Sequence, residues 1–188
     1  MTEAEFAERL RGTAQRLFKP LKVLVGAPLL YQVTVNNDLK FTVDPAEPKR
    51  GQSAFETDVA VFEPRGDGKQ IPRVVIECKL KLTTHDILTY SAKARRHKQI
   101  YPYLRYGIML ANERAIPRRF FTHNEGIDFC VAAGSISSRN FRTVLRDLLT
   151  AEIKSSEALE QAAFGVIDAN VFRTDVTLKR RSKHRLSR

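Results

Sequence analysis

The sequence predicts an α/β domain in which a mixed β-sheet is flanked by helices, and three observations carry that expectation. Residues 55–63 and 71–80 are apolar, β-branched runs separated by the turn sequence Pro64-Arg65-Gly66-Asp67-Gly68-Lys69, the pattern of an antiparallel hairpin. A helical pattern opening at Thr83 then leads into the apolar run Tyr106-Gly107-Ile108-Met109-Leu110-Ala111, giving the strand, helix, strand order of a parallel crossover. Amphipathic helical patterns stand at both ends of this core, over residues 2–18 and 138–153.

In the first helix Thr2 is a candidate N-cap with Glu5 as its capping-box partner, Phe6, Leu10 and Leu17 recur at helical spacing, and Pro20 stops the run. Residues 21–25 are too short to assign, and Gly26-Ala27-Pro28 reads as a break. Residues 29–35 read as a strand, Asn36-Asn37-Asp38 as a turn and residues 39–43 as its return; residues 44–53 are a Pro-rich surface loop. Similar arm lengths about the turn at residues 64–69 place Asp58 near Glu77, within a residue or two of register. Thr83 and Asp86 form a capping pair for a helix that ends near Ile100, ahead of Pro102. A short helix with Pro117 in its first turn, a strand over 126–131 and the helix from Ser138 follow, the last extended or succeeded by residues 155–164.

The chain has 188 residues, enough for one domain with a real core, assigned to residues 1–172 with a basic tail over 173–188. No apolar run approaches the roughly 18 residues of a membrane span, and the start of the chain is acidic where a secretory signal would be basic, so a cytoplasmic, non-membrane protein is expected. Cys78 and Cys130 sit in apolar stretches and lack any CxxC spacing, which favours buried free thiols. The net charge of +11 points to polyanions, nucleic acid ahead of membrane. Six of those charges, Lys179, Arg180, Arg181, Lys183, Arg185 and Arg188, lie in the last ten residues, and 11 − 6 leaves +5 for the rest. A charge run of this kind is a solvated, disordered end or a further phosphate contact.

In residues 73–80 alternation puts Val75, Glu77 and Lys79 on one side of the strand, so a carboxylate and an ammonium leave an apolar run together. With Asp58 they make a candidate site for phosphodiester hydrolysis. Asp58 and Glu77 are hard oxygen ligands for Mg²⁺ or Mn²⁺, the carbonyl of Cys78 is a possible third, and Lys79 is placed to orient water and offset charge in the transition state. The competing structural reading makes Glu77 and Lys79 a same-face ion pair and Asp58 a turn residue. His85, His97, His123 and His184 lack metal-ligand spacing and read as exposed or capping residues, and no serine stands in a nucleophile-elbow pattern.

Asp58 and, after an apolar strand, Glu77-Cys78-Lys79 resemble the motif of the PD-(D/E)xK nucleases, the superfamily of restriction endonucleases and Holliday-junction resolvases. The resemblance covers residues 2–111 and implies a restriction-endonuclease-like core of helix, three-stranded meander, helix and strand. Thr57 stands where the motif's proline would be. The resemblance also implies a glutamate from the first helix, for which Glu5 and Glu8 both qualify, and a Gln-x-x-x-Tyr element, matched by Gln99 and Tyr103, with Gln99 near the metal. Gln99 as a plain helix-surface amide is the alternative, and Lys93 or Lys98 is an alternative residue to approach the scissile phosphate.

The expectation is a Mg²⁺-dependent DNA endonuclease, a homodimer because cutting two strands needs two sites. Lys93, Arg95, Arg96, Lys98, Arg118, Arg119 and the basic tail are its candidate phosphate contacts. A structure-selective or single-strand nuclease of recombination, repair or defence is one alternative, and a non-catalytic nucleic-acid-binding protein of the same fold is another.

Overall fold

The computed structural model describes residues 1–179, which fold as a five-stranded mixed sheet flanked by helices. In chain order the elements are α1 (Glu3–Leu17), β1 (Lys22–Leu30), β2 (Ala54–Pro64), β3 (Gln70–Lys79), α2 (Thr84–Ile100), β4 (Arg105–Leu110), α3 (Arg118–His123), β5 (Phe129–Ala132) and α4 (Ser138–Ala163). The strands lie side by side in sequence order, β1 to β3 antiparallel and β3 to β5 parallel. Among the described residues no helix is long and apolar enough to cross a membrane.

Both long N-terminal helices begin as their sequences dictate. Thr2 caps α1 and Thr83 caps α2, each in a reciprocal capping box, with Glu5 and Asp86 respectively. Two apolar layers then form, one on each face of the sheet. Phe6, Leu10 and Ala14 of α1 and Phe141, Leu145 and Leu149 of α4 pack with Val59, Val61, Val74, Ile76 and Cys78. Ile87, Tyr90 and Ala94 of α2 pack on the other face with Ala60, Phe62, Val75, Tyr106 and Ile108.

The first strand departs from expectation. Residues 21–28, read as an unassigned stretch and a break, belong to β1, and the strand expected over 29–35 ends at Leu30. The expected return over 39–43 is reduced to an isolated bridge between Val35 and Phe41. Pro28 is tolerated because β1 is an edge strand. Gly26, at φ 69°, stands between the pairs Val25↔Val59 and Ala27↔Thr57, opposite Asp58. Before it Val23 packs with α1 and α4; after it Ala27 and Leu29 pack with α2, so the left-handed residue changes which face β1 buries. β5 starts at Phe129, three residues later than expected, and α4 runs unbroken to Ala163. Residues 166–179 carry no regular element; in the tail, Lys179 lies 3.8 Å from Asp147, and the remaining basic residues from Arg180 on fall outside the described residues.

The hairpin β2–β3 contains a bulge that its sequence only hints at. Phe62 pairs with Pro72, but Val61 pairs with Val74, so Arg73 is an extra residue in β3. Pro72, which has no N–H to give a ladder, stands at this irregularity. The Arg73 side chain is only 2% exposed and is held by the carboxylates of Glu63 and Glu160, the latter 2.6 Å away on α4, with the Tyr103 ring 5.6 Å from its guanidinium carbon. Arg73→Met leaves two carboxylates facing each other without a cation, and we expect it to cost about 3–5 kcal/mol in denaturant unfolding. Adding Glu63→Gln and Glu160→Gln to that variant should recover most of the loss, because the penalty lies in the uncompensated charge.

Candidate active site

The ladder between β2 and β3 ends at Val59↔Ile76, and the next position outward brings Asp58 and Glu77 opposite each other. There a side chain takes over from the backbone: the Cys78 N–H donates to Asp58 Oδ2 at 2.7 Å. The Lys79 carbonyl accepts from Ala111 N–H on the β4 side, so by strand alternation the Cys78 carbonyl leaves on the β2 side, toward Asp58. The Cys78 side chain is buried among α1 and α4 and packs only, with burial pushing its thiol pKa up.

Glu77 is 2% exposed. The Tyr106 hydroxyl of β4 donates to its Oε1, fixing the carboxylate from the neighbouring strand. Burial first, and the facing Asp58 carboxylate second, push the Glu77 carboxyl up from its ordinary 4.5 to about 7; Lys93 and the Tyr106 bond pull the other way. Two carboxylates share this strand end, and one of them is deprived of water.

Lys79 is partnered from an unexpected place. Its Nζ lies 3.0 Å from Oε2 of Glu3, whose Oε1 also accepts the Leu80 N–H at 3.3 Å. Glu3 is the first residue of α1, so the helix dipole favours its charge while it ties the helix start to the end of β3. Burial opposes the charge on Lys79 most strongly of any single effect, but Glu3 and Tyr90 together outweigh it and hold the ammonium above its ordinary range. The Nζ also sits 5.6 Å from the centre of the Tyr90 ring.

The two glutamates nominated from the first helix are engaged elsewhere. Glu5 accepts the Thr2 N–H at 2.8 Å in the capping box, and Glu8 pairs with Arg11 at 2.8 Å. The glutamate that reaches the site is instead Glu3, at the first position of the helix. Tyr106 belongs to a run that reads as apolar core, and only the placement of Tyr106 against Glu77 and of Tyr90 against Lys79 gives these rings a polar task.

Along α2 the nominated residues separate. Lys93 reaches toward the site, with Nζ 5.2 Å from the Tyr90 ring and 5.5 Å from the Phe55 ring, and its charge acts on Glu77. Gln99 is exposed and nine residues from Tyr90, half a turn away at 100° per residue, so it does not join the site. Its motif partner Tyr103 packs with Tyr101, Phe164 and Arg73, at the bulge end of β3. Lys98 is bonded to Asp128 at 2.7 Å and to the Gly126 carbonyl, and Arg95 pairs with Glu125 at 2.9 Å, so both charges are largely spent within the fold. Arg96, Arg118 and Arg119 are exposed. His97, expected at an exposed or capping position, is fully buried with Nδ1 2.8 Å from the Leu30 carbonyl oxygen, because it falls on the same helix stripe as Tyr90 and Ala94.

Among the described residues no group of three or more His, Cys, Asp and Glu could hold a metal ion. The donors at the strand end are two carboxylates and a backbone carbonyl, all hard oxygens, and their mutual repulsion is of the kind a divalent cation relieves. This donor set suits Mg²⁺, which takes one or two carboxylates and fills its other positions with water and phosphate oxygen. Comparison of the chain with family models, with curated proteins and with solved structures gave no match.

The raised Glu77 pKa has a sign that can be measured. The folded state holds this proton more tightly than the unfolded chain, so stability contributed by protonated Glu77 is present below pH 4.5 and is lost as pH rises to about 7. The full loss is on the order of 3 kcal/mol. Relative to wild type, Glu77→Gln should therefore gain up to roughly 10 °C in Tm at pH 8 and little near pH 4. Millimolar Mg²⁺ at pH 8 should raise the Tm of the wild type and leave that of Glu77→Gln almost unchanged.

Proposed function

We propose that this protein is a divalent-metal-dependent deoxyribonuclease, an endonuclease of the restriction-endonuclease-like PD-(D/E)xK kind. The observation that carries the reading is the convergence of Asp58 and Glu77 at the end of one hairpin, with Lys79 alongside on a tether to Glu3. The order α1, β1–β2–β3 meander, α2, β4 is the core that the resemblance implies, and it supports the same conclusion. Glu3 takes the place of the first-helix glutamate.

Asp58, Glu77 and the Cys78 carbonyl are the groups that would hold Mg²⁺ or Mn²⁺. When bound, such a cation supplies positive charge to the phosphoryl oxygens, acidifies a water and stabilises the leaving oxygen. Tyr106 fixes the rotation of the Glu77 carboxylate, and the Asp58 carboxylate is anchored through the Cys78 N–H. Lys79 keeps its proton, so its part is that of a cation stabilising charge at the scissile phosphate and orienting water through Nζ–H. Lys93 adds a second cation from α2. Action as a homodimer remains part of the proposal, since cutting both strands of a duplex requires two sites.

One observation favours a single-strand or structure-selective variant of this activity. Tyr31 and Phe55 stack at 4.0 Å, half-buried, with Lys93 against the Phe55 ring, and such an aromatic surface accepts unpaired bases. Forked or single-stranded DNA would then be cut in preference to plain duplex.

Incubation of supercoiled plasmid and labelled forks with the protein and Mg²⁺ or Mn²⁺ tests both readings. Wild type should cut, and Asp58→Ala or Lys79→Ala should each lower the rate on the order of 100-fold or more. Cleavage that survives both substitutions sinks the site. Absence of cleavage with persistent, salt-sensitive DNA binding points instead to a non-catalytic nucleic-acid-binding protein.

A further inference from the structure

Further along α1 from the site, past the exposed acids Glu5 and Glu8, lies a basic groove with no assigned task. α1 starts at the site, where Glu3 holds Lys79, and six residues further, about 9 Å along its axis, it reaches Arg9. There α1 and the first turn of α4 enclose a groove of about 420 Å³, with Arg9 and Arg16 on one wall, Arg142 on the other, and Gly12 and Phe141 between them.

The charge in this groove is uncompensated. Arg9 Nη2 donates to the neutral Ser138 Oγ at 3.3 Å, and among the described residues Arg9, Arg16 and Arg142 make no ion pair with a carboxylate. Glu8, the one acid at the groove, is taken by Arg11. Elsewhere in the fold Arg65, Arg73, Arg95, Lys98 and Arg105 are paired with acids. Arg96, Arg114, Arg118, Arg119, Arg139 and Arg146 also make no ion pair among the described residues, so what sets the groove apart is three such groups around one concavity. Three exposed guanidinium groups around one groove hold a positive potential that the fold itself does not use.

The spacing favours a strand of phosphates over a single anion. Arg9 and Arg16 are seven residues apart, about 10 Å along the helix, whereas phosphates on one strand of a duplex advance by about 3.4 Å each along its axis. Guanidinium groups bind phosphate bidentately, and Gly12 and Thr13, which line the groove between Arg9 and Arg16, are small enough for a backbone to approach. We infer that this groove binds consecutive backbone phosphates of the nucleic-acid strand that passes through the Asp58, Glu77 and Lys79 site. Its place relative to the cut rests on the nuclease reading, whereas the binding itself does not.

Fluorescence anisotropy with a labelled DNA duplex, in EDTA and over about 50 to 200 mM salt, tests the inference on the full chain. The triple variant Arg9→Gln, Arg16→Gln, Arg142→Gln should bind at least about 10-fold more weakly, with a log–log salt slope shallower by about 2 to 3, because each phosphate contact contributes about 0.9 to that slope. The matching triple lysine variant should keep most of the slope. If the triple glutamine variant melts early, Arg142→Gln alone, on an exposed helix face, should still lower the slope by about 1. Unchanged affinity and slope in a folded variant overturn the inference, as does a wild type that binds without salt dependence. A plasmid left uncut by a wild type whose slope falls in the triple variant removes the nuclease reading and leaves the groove standing.

Discussion

One extra residue in β3 decides which side chains meet at its far end. Without the bulge at Arg73, the pairing Phe62↔Pro72 continued along the hairpin would set Asp58 against Ile76; with it, Val59 meets Ile76 and Asp58 meets Glu77. A slip of one residue turns a side chain to the opposite face, so an unbulged hairpin would put an apolar side chain where the second carboxylate now stands. The bulge is secured by the burial of Arg73 between Glu63 and Glu160. That ion cluster also fastens the end of α4 to the hairpin, so the packing of the last helix and the register of the site share one anchor.

At the other end of the strand, charges arrive from both faces of the sheet. Glu3 comes from α1 on one side, Lys93 from α2 on the other, and Tyr106 from the neighbouring parallel strand. Each compensates part of the strand end: Glu3 balances Lys79, while Lys93 and Tyr106 relieve Glu77. The relief is incomplete, which is why Glu77 retains its proton to about pH 7. The pair is left short of donors, and the proposed cation site rests on that deficit. The arginines of the α1–α4 groove, by contrast, carry positive charge that no carboxylate of the described residues balances by an ion pair.

Elements with strong local signals were legible before any coordinates. Capping boxes at Thr2 and Thr83 marked two helix starts, and the turn at residues 64–69 marked the hairpin. The first strand was not legible, since glycine and proline are normally breakers, and only its edge position and the left-handed Gly26 reconcile them with a ladder. Gln99 failed for a related reason. A short spacing motif says which helix carries a residue but not which side of that helix faces the site, and here the buried stripe through Tyr90, Ala94 and His97 faces inward instead.

Asp58, Glu77 and Lys79 could be chosen from the chain alone because a charged residue at the end of an apolar strand is a local anomaly, visible as a break in pattern. Their partners could not. Glu3 lies 76 residues from Lys79, and no local pattern distinguishes it from other surface charges. Long-range electrostatic complementarity exists only once packing has brought the elements together. The strand order, the bulged register and the choice of Glu3 over Glu5 and Glu8 were therefore decided by tertiary structure, while the hairpin and its three charged residues were already written in the local sequence.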